Sequence, residues 1–454
     1  MMHIHFIAIG GAAMHNLALA LHEKGYKVTG SDDEINDPSK SRLFAKGLLP
    51  EQIGWFPEKL AAKPDAVILG MHARKDNPEL LKAQEMGLTV YSYPEYLFEQ
   101  TKEKKRIVVG GSHGKTSITA MIMHCLRSNN VDFDYMVGSQ VQGFETMVSL
   151  NNTSKLAVFE GDEYLTSPID PRPKFHLYKP HFAILSGIAW DHINVFPTFD
   201  MYVDQFRQFI RLVEPHGKVV YSQEDQVLEG LCQETFSGIT LAPYQSHPAI
   251  IKEGKTYLNT PNGEKVGLKI FGHHNLMNLE AARLACLEAG LGNDQFYQSI
   301  ASFTGASRRL EWMGGGETYD VYKDFAHSPS KLKATTDAVK KQFPNRRLIA
   351  CMELHTFSSL NENFLNEYTG SMDLADVAVV YFNPHTIEHK KLKPISVGQV
   401  KQAFNRSDLQ VFTESQAVKE FVLAQHYKNA NLLMMSSGTF DGIDMKVLAT
   451  QLKA

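Results

Sequence analysis

The sequence is poor in cysteine: Cys125, Cys232, Cys286 and Cys351 are its four in 454 residues, scattered and without a C-x-x-C pair. That spacing excludes a disulfide framework and a clustered zinc site, and it fits buried thiols in a reducing compartment. Also missing is any run of about eighteen apolar residues, which argues against a spanning helix and against a membrane partner. The first apolar stretch, MMHIHFIAIGGAAMHNLALAL, has no Lys or Arg ahead of it and is cut by Gly10 and Gly11, so it does not read as a signal peptide. Nor is there a basic excess. With 46 Lys and Arg against 50 Asp and Glu, the net charge of -4 argues against a nucleic-acid partner. Low-complexity tracts and fine-period repeats are absent too. What remains is a globular chain expected in the cytoplasm, as a monomer or weak homodimer.

At a prior of roughly 150 residues per domain, the length suggests about three domains. Short apolar runs, HIHFIAI (3–9), KVTGS (27–31), AVILG (66–70) and TVYS (89–92), alternate with helical patterns, as in a parallel sheet wrapped by helices. The charged segment EQTKEKKR (99–106) has no apolar periodicity and reads as a solvated connector. A second set runs through RIVVGG, KLAVFE (155–160), FAILSG (182–187) and KVVYS (218–222), followed by KTYLNTPNGEKVGLKI, whose Asn-Gly between alternating runs predicts a hairpin. MGGGE (313–317) reads as a hinge, and a third set follows in YDVYKDF, RRLIACMEL, VAVVYF, LQVF and LLMMSS. The expected organisation is α/β throughout, with domains at 1–104, 105–315 and 316–454.

The run RIVVGGSHGKTSITAM (106–121) passes from β-branched residues into a glycine turn and then a helix. Glycines 110, 111 and 114 let successive backbone N–H groups point inward at the positive end of that helix, where an anion fits. Val109 occupies the first glycine of the full G-x-x-x-x-G-K-[ST] pattern, so only the short form is matched. On that pattern Gly111, Ser112, His113, Gly114, Lys115, Thr116 and Ser117 form the ATP phosphate site, with Lys115 on the phosphates and the Thr116 hydroxyl on magnesium. FEGDEYL (159–165) puts Glu160 at the carboxyl end of the next strand, and WDHINVF (190–196) puts His192 at the same level after another. Oxygen ligands and one imidazole around phosphates suit magnesium. The segment HTIEH (385–389) lacks the glutamate of H-E-x-x-H and is not a metalloprotease site.

These pieces together resemble the Mur ligase family, ATP-dependent amide-forming enzymes of peptidoglycan synthesis. The resemblance implies ATP and Mg2+ as cofactors, Lys115, Glu160 and His192 as catalytic residues, and Thr116, Glu160 and His192 as the metal set. FGHHNLMNLEAARLA (271–285) is similar to the family's adenine helix, with Asn275 and Asn278 on one face; the alternative there is a plain amphipathic helix. RRLEWMGGGETYDVYKDFAHSP is similar to the family's hinge, which implies Arg309 on the ATP phosphates and Asp324 on the ribose. In the first domain FIAIGGAAM keeps part of a G-x-G-x-x-G fingerprint, with Ala8 and Ala13 at its outer positions. A UDP-sugar site is implied there, at Gly10, Gly11, Ala12 and Asp32, bordered by His72 and Asn77.

Several family members carry a carbamylated lysine after the metal histidine, yet no lysine lies between His192 and Lys218. That gap favours the branch acting on UDP-N-acetylmuramate itself. Within that branch, D-x-R-x-K-F-x-x-Y at Asp170 to Tyr178 and SSGTFDGI at 436–443 favour a murein tripeptide acceptor, L-alanyl-γ-D-glutamyl-meso-diaminopimelate, over free L-alanine. The rivals from other classes are an NAD-dependent oxidoreductase and a P-loop binding protein.

Overall fold

The central β-branched runs of the chain form parallel strands buried on both faces, with helices returning the chain between them. The computed structural model describes residues 1–190 and 195–452. Two compact units form, Met1–Gln245 with Ala281–Ser299, and Ser246–Glu280 with Ile300–Ala454.

In the first unit, a four-stranded parallel sheet is ordered Lys27–Ser31, His3–Ile7, Ala66–Leu69, Val90–Ser92. The adjoining seven-stranded sheet is ordered Thr240–Tyr244, Lys218–Ser222, Phe182–Leu185, Lys105–Gly110, Leu156–Glu160, Asp134–Met136, Val148–Ser149. Only its last pair is antiparallel. Lys105–Gly110 is central, flanked by the strands that end at Leu185 and Glu160, so three carboxyl ends converge where the glycine turn begins. That is where parallel sheets gather ligands.

The second unit holds a three-stranded antiparallel sheet, Ala249–Lys252, Lys255–Asn259 and Lys265–Leu268, with the predicted Asn-Gly hairpin as its second turn. Its main sheet has six strands, ordered Glu311–Gly315, Tyr319–Asp324, Ala430–Met435, Arg347–Leu354, Val377–Phe382, Gln410–Phe412, parallel except for the first pair. No described helix is long and apolar enough to cross a membrane.

Two expectations are corrected. The segment 99–106 is not a solvated connector: a helix runs to Thr101, a strand starts at Lys105, and Arg106 is 1% exposed. The Arg106 guanidinium donates to the carbonyls of Thr101, Lys102, Lys104, Tyr178 and Lys179 and to Glu214 Oε1 at 2.8 to 3.1 Å. A charged run can thus be interior when backbone acceptors surround one member of it. MGGGE is not an open hinge either. Its glycines lie mostly within the strand Glu311–Gly315, whose register against Tyr319–Asp324 shifts between Trp312 and Gly314, the bulge that glycine accommodates.

Candidate active site

The central strand Lys105–Gly110 ends in the glycine turn, and the helix Lys115–Ser128 begins at Gly114, whose φ of 76° is left-handed. Gly111 is also left-handed, and a Cβ there would collide with Ser186 Oγ. No described side chain caps the helix, so its first-turn amides and dipole are directed at the turn. Such an end selects an anion.

Lys115 bends back over the turn. Its Nζ donates to Gly111 O and to Glu163 Oε2, both at 2.6 Å. Burial opposes its charge, but Glu163, Asp162 and Glu160 outweigh burial and hold the ammonium above its ordinary pKa. Next along the helix, the Thr116 hydroxyl donates to Glu160 Oε1 at 2.8 Å, while Glu160 Oε2 accepts from the Gly138 N–H at 2.7 Å. Burial pushes the Glu160 carboxyl above the usual range, against the pull of Gly138, Lys115 and Thr116. A buried acid beside an anion-binding turn would repel a triphosphate unless a cation stood between them. The donor set, a hydroxyl and a carboxylate 2.8 Å apart, is the hard-oxygen kind that magnesium takes, so the residues fit that ion. Among the described residues no group of three or more His, Cys, Asp or Glu gathers as a metal site. Asp191 and His192, the latter expected as metal ligand, lie outside the described residues.

Sequence reasoning missed Glu163 and Tyr202. The Tyr202 hydroxyl, from the helix Phe199–Arg211, lies 2.8 Å from Ser112 Oγ and donates to Glu163 Oε1 at 3.0 Å. Ser112 Oγ also accepts from the Ala189 N–H. Glu163 stands inside the quoted FEGDEYL, so a signal for it existed; Tyr202, distant in sequence, had none. This helix lies in the lysine-free stretch between His192 and Lys218, and there Phe206 is core and Arg207 pairs with Glu234 and Asp204.

The glycine turn that follows the first strand, His3–Ile7, has its own geometry. Ala8, at an outer glycine position of the fingerprint, adopts φ 69°, the left-handed turn that glycine would make without strain. A Cβ on Gly10 would meet Asp32 Oδ2 and Ile35 Cγ1 at 2.9 Å, so glycine is required. Asp32 Oδ2 accepts from the Gly10 N–H at 2.6 Å, which makes it a support for the turn. Asn77 is buried and caps the helix Pro78–Glu85 through the N–H groups of Glu79 and Leu80. His72 is exposed next to Gly11, which starts the helix Ala12–Glu23.

The remaining nucleotide candidates belong to the second unit. Asn275 and Asn278 are buried, and the Asn275 amide donates to Phe271 O at 2.8 Å. Asp324 accepts from the Leu310 and Ala326 N–H groups, both at 2.6 Å, and burial raises its pKa against Arg309 and those bonds. Arg309 lies over the Phe325 ring at 4.7 Å. Asp324 thereby fixes the segment that carries Arg309.

Three family profiles cover the chain in this same order: Mur ligase family, catalytic domain, over 3–105; Mur ligase middle domain over 109–286; and Mur ligase, glutamate ligase domain, over 308–438. A UDP-N-acetylmuramate--L-alanine ligase of Desulfitobacterium hafniense (strain Y51) is 30% identical over 391 residues, 84% of each chain. The chain belongs to the Mur ligase family. Another relative in this family, the UDP-N-acetylmuramate--L-alanyl-gamma-D-glutamyl-meso-2,6-diaminoheptandioate ligase of Haemophilus influenzae, is 27% identical over 461 residues, 99% of each chain. The crystal structure of a murein peptide ligase from Psychrobacter arcticus superposes with a TM-score of 0.65 at 24% identity over 99% of each chain, a likeness of fold. As a Mur ligase, this chain is an ATP-dependent amide ligase, of a family that uses ATP and Mg2+ on UDP-N-acetylmuramate and peptide substrates.

Proposed function

We propose that this Mur ligase joins UDP-N-acetylmuramate to L-alanyl-γ-D-glutamyl-meso-diaminopimelate in the cytoplasm, in peptidoglycan recycling. The chemistry rests on one observation, the glycine turn with Lys115 bent over it and the Thr116–Glu160 pair at the adjoining strand end. In this reading the lactyl carboxylate attacks the γ-phosphorus of ATP, the bond from that phosphorus to the bridging oxygen breaks, and the products are an acyl phosphate and ADP. The alanyl amine then attacks the acyl carbon, and phosphate departs as the amide forms. Lys115 and the turn's N–H groups offset the charge that gathers as an anion approaches a polyanion. Thr116, Glu160 and His192 would hold magnesium, which would supply Lewis-acid charge for the phosphoryl transfer. Asn275, Asn278, Arg309 and Asp324 serve the nucleotide, and the turn at Gly10, Gly11 and Ala12, with Asp32, His72 and Asn77, serves the UDP-sugar.

The tripeptide acceptor is supported by the segment between Glu160 and the strand Phe182–Leu185. It forms a hairpin of Leu165–Ser167 and Asp170–Pro173, with Arg172 on Asp170 and Glu95 and Lys174 on Asp162. Phe175 and Tyr178 of the same motif are core residues, so its charged members are the ones available to a substrate. End-to-end alignment with the Haemophilus influenzae ligase supports the same reading. The alternative acceptor is L-alanine, favoured by the Desulfitobacterium hafniense relative. ADP release measured with UDP-N-acetylmuramate plus either amine distinguishes them: faster release with the tripeptide is expected, and faster release with free alanine overturns the acceptor.

A further inference from the structure

A buried amide links the two substrate turns of the first unit. Asn16 is 0% exposed on the helix Ala12–Glu23, one turn beyond Gly11. Its Nδ2 donates to Ala12 O at 2.7 Å and to His15 Nε2 at 3.0 Å. Because an amide nitrogen only donates, His15 Nε2 accepts, and the imidazole proton sits on Nδ1, 2.9 Å from both Gly11 O and Ser39 Oγ. Donation to the Ala12 carbonyl, which can only accept, fixes the amide's orientation and turns Asn16 Oδ1 away from its own helix. There it accepts from the Met147 N–H at 2.9 Å, across 131 residues.

Met147 is the return of the segment that leaves the strand Asp134–Met136. Its carbonyl accepts from the Val137 N–H at 3.0 Å. The following residue is Gly138, whose N–H holds Glu160 Oε2 at 2.7 Å, and the other oxygen of Glu160 takes the Thr116 hydroxyl at 2.8 Å. Both carbonyls that open the sugar-nucleotide helix are therefore joined, by a short path of hydrogen bonds, to the acid of the phosphate site. Nothing in the ligase chemistry above uses Asn16 or Met147.

We propose that Asn16 is a positioning residue that couples the sugar-nucleotide turn to Glu160 through the 137–147 segment, so that each substrate strengthens the hold on the other. The inference rests on the reading of Gly10 and Gly11 as the UDP-sugar turn. A diphosphate on those amides restrains the first turn of the helix, the Asn16 amide transmits the restraint to Met147, and Gly138 stays aligned on the carboxylate. Coupling of this kind is reciprocal, because each ligand alters the other's affinity by the same factor.

The test is calorimetric titration of ADP with Mg2+ into the full chain, with and without saturating UDP-N-acetylmuramate. The wild-type chain is expected to bind ADP about fivefold more tightly or better with the sugar nucleotide present, the low end of usual coupling. Asn16→Ala is expected to bind each ligand alone and to lose that ratio. A variant that is less stable but keeps the wild-type ratio assigns Asn16 a merely structural role and overturns the proposal, as does a wild-type ratio of one. Wild-type chain that fails to bind UDP-N-acetylmuramate alone overturns the sugar-nucleotide reading as well, a result distinct from binding without coupling. Should Asn16→Ala not fold, amide hydrogen exchange across 137–147 of the wild-type chain decides. Slower exchange on adding UDP-N-acetylmuramate is expected, and unchanged exchange overturns the proposal.

Discussion

Replacing Lys115 by alanine separates what that residue does for the fold from what it does for ATP. Its side chain is 14% exposed, and its Nζ lies 2.6 Å from Glu163, whose side chain is 1% exposed. Removing one member of a buried ion pair leaves its partner's charge without the neutralising group, which costs about 3–5 kcal/mol. Water entering beside the partly open lysine reduces this, so we expect about 3 kcal/mol. For a domain of the usual size that is a fall in Tm of roughly 6–12 °C. Adding Glu163→Gln removes the stranded charge while leaving an oxygen to accept the Tyr202 hydroxyl, so the double variant should regain most of the lost Tm. ADP release should not return with it. With Lys115 in its proposed role on the transferred phosphoryl, losing its charge is expected to slow turnover about a hundred- to a thousandfold in both variants. Calorimetric unfolding and an ADP-release assay on the two proteins check this. A single variant as stable as the parent, or a double variant with restored turnover, refutes the reasoning.

Burial raises the Glu160 pKa, so in the nucleotide-free protein the stability tied to its neutral form is present below the unfolded value near ~4.3 and is lost as pH rises through the raised folded value. With Glu160 as the proposed metal ligand, magnesium-dependent ADP binding should tighten over that same rise, a dependence that Glu160→Gln should flatten in titrations across pH. Arg106→Met should lower stability by about 3–5 kcal/mol in chemical denaturation, because several buried carbonyls and Glu214 lose a shared donor. His192→Ala should raise the magnesium concentration needed for half-maximal ADP release, and an unchanged requirement removes His192 from the metal set.

The parts of the site legible in the sequence were those whose chemistry is local. RIVVGG reads as a buried parallel strand because it is β-branched and short, and GSHGKT reads as an anion turn because its two glycines and lysine fall within five residues, Gly111 to Lys115. Glu160 was legible from its position at a strand end, and it meets Thr116. What escaped depends on pairings between distant segments. Glu163 meets Lys115 from 48 residues away, and Tyr202 meets Ser112 from 90, distances over which pattern carries no information. The same limit explains Arg106, whose charge signals solvent until the six acceptors around it are known. Asn77 and Asp32 show a further ambiguity, since a polar residue near a ligand turn serves a helix cap or the turn's own N–H as readily as a substrate.

The most direct test of the account is isotopic. With UDP-N-acetylmuramate labelled by 18O in its lactyl carboxylate, ATP, magnesium and the tripeptide, the released phosphate is analysed by mass spectrometry. Attack of the carboxylate on the γ-phosphorus predicts one 18O atom in each phosphate from a doubly labelled carboxylate, together with equimolar ADP. Unlabelled phosphate, or phosphate formed at the same rate without the sugar nucleotide, contradicts it.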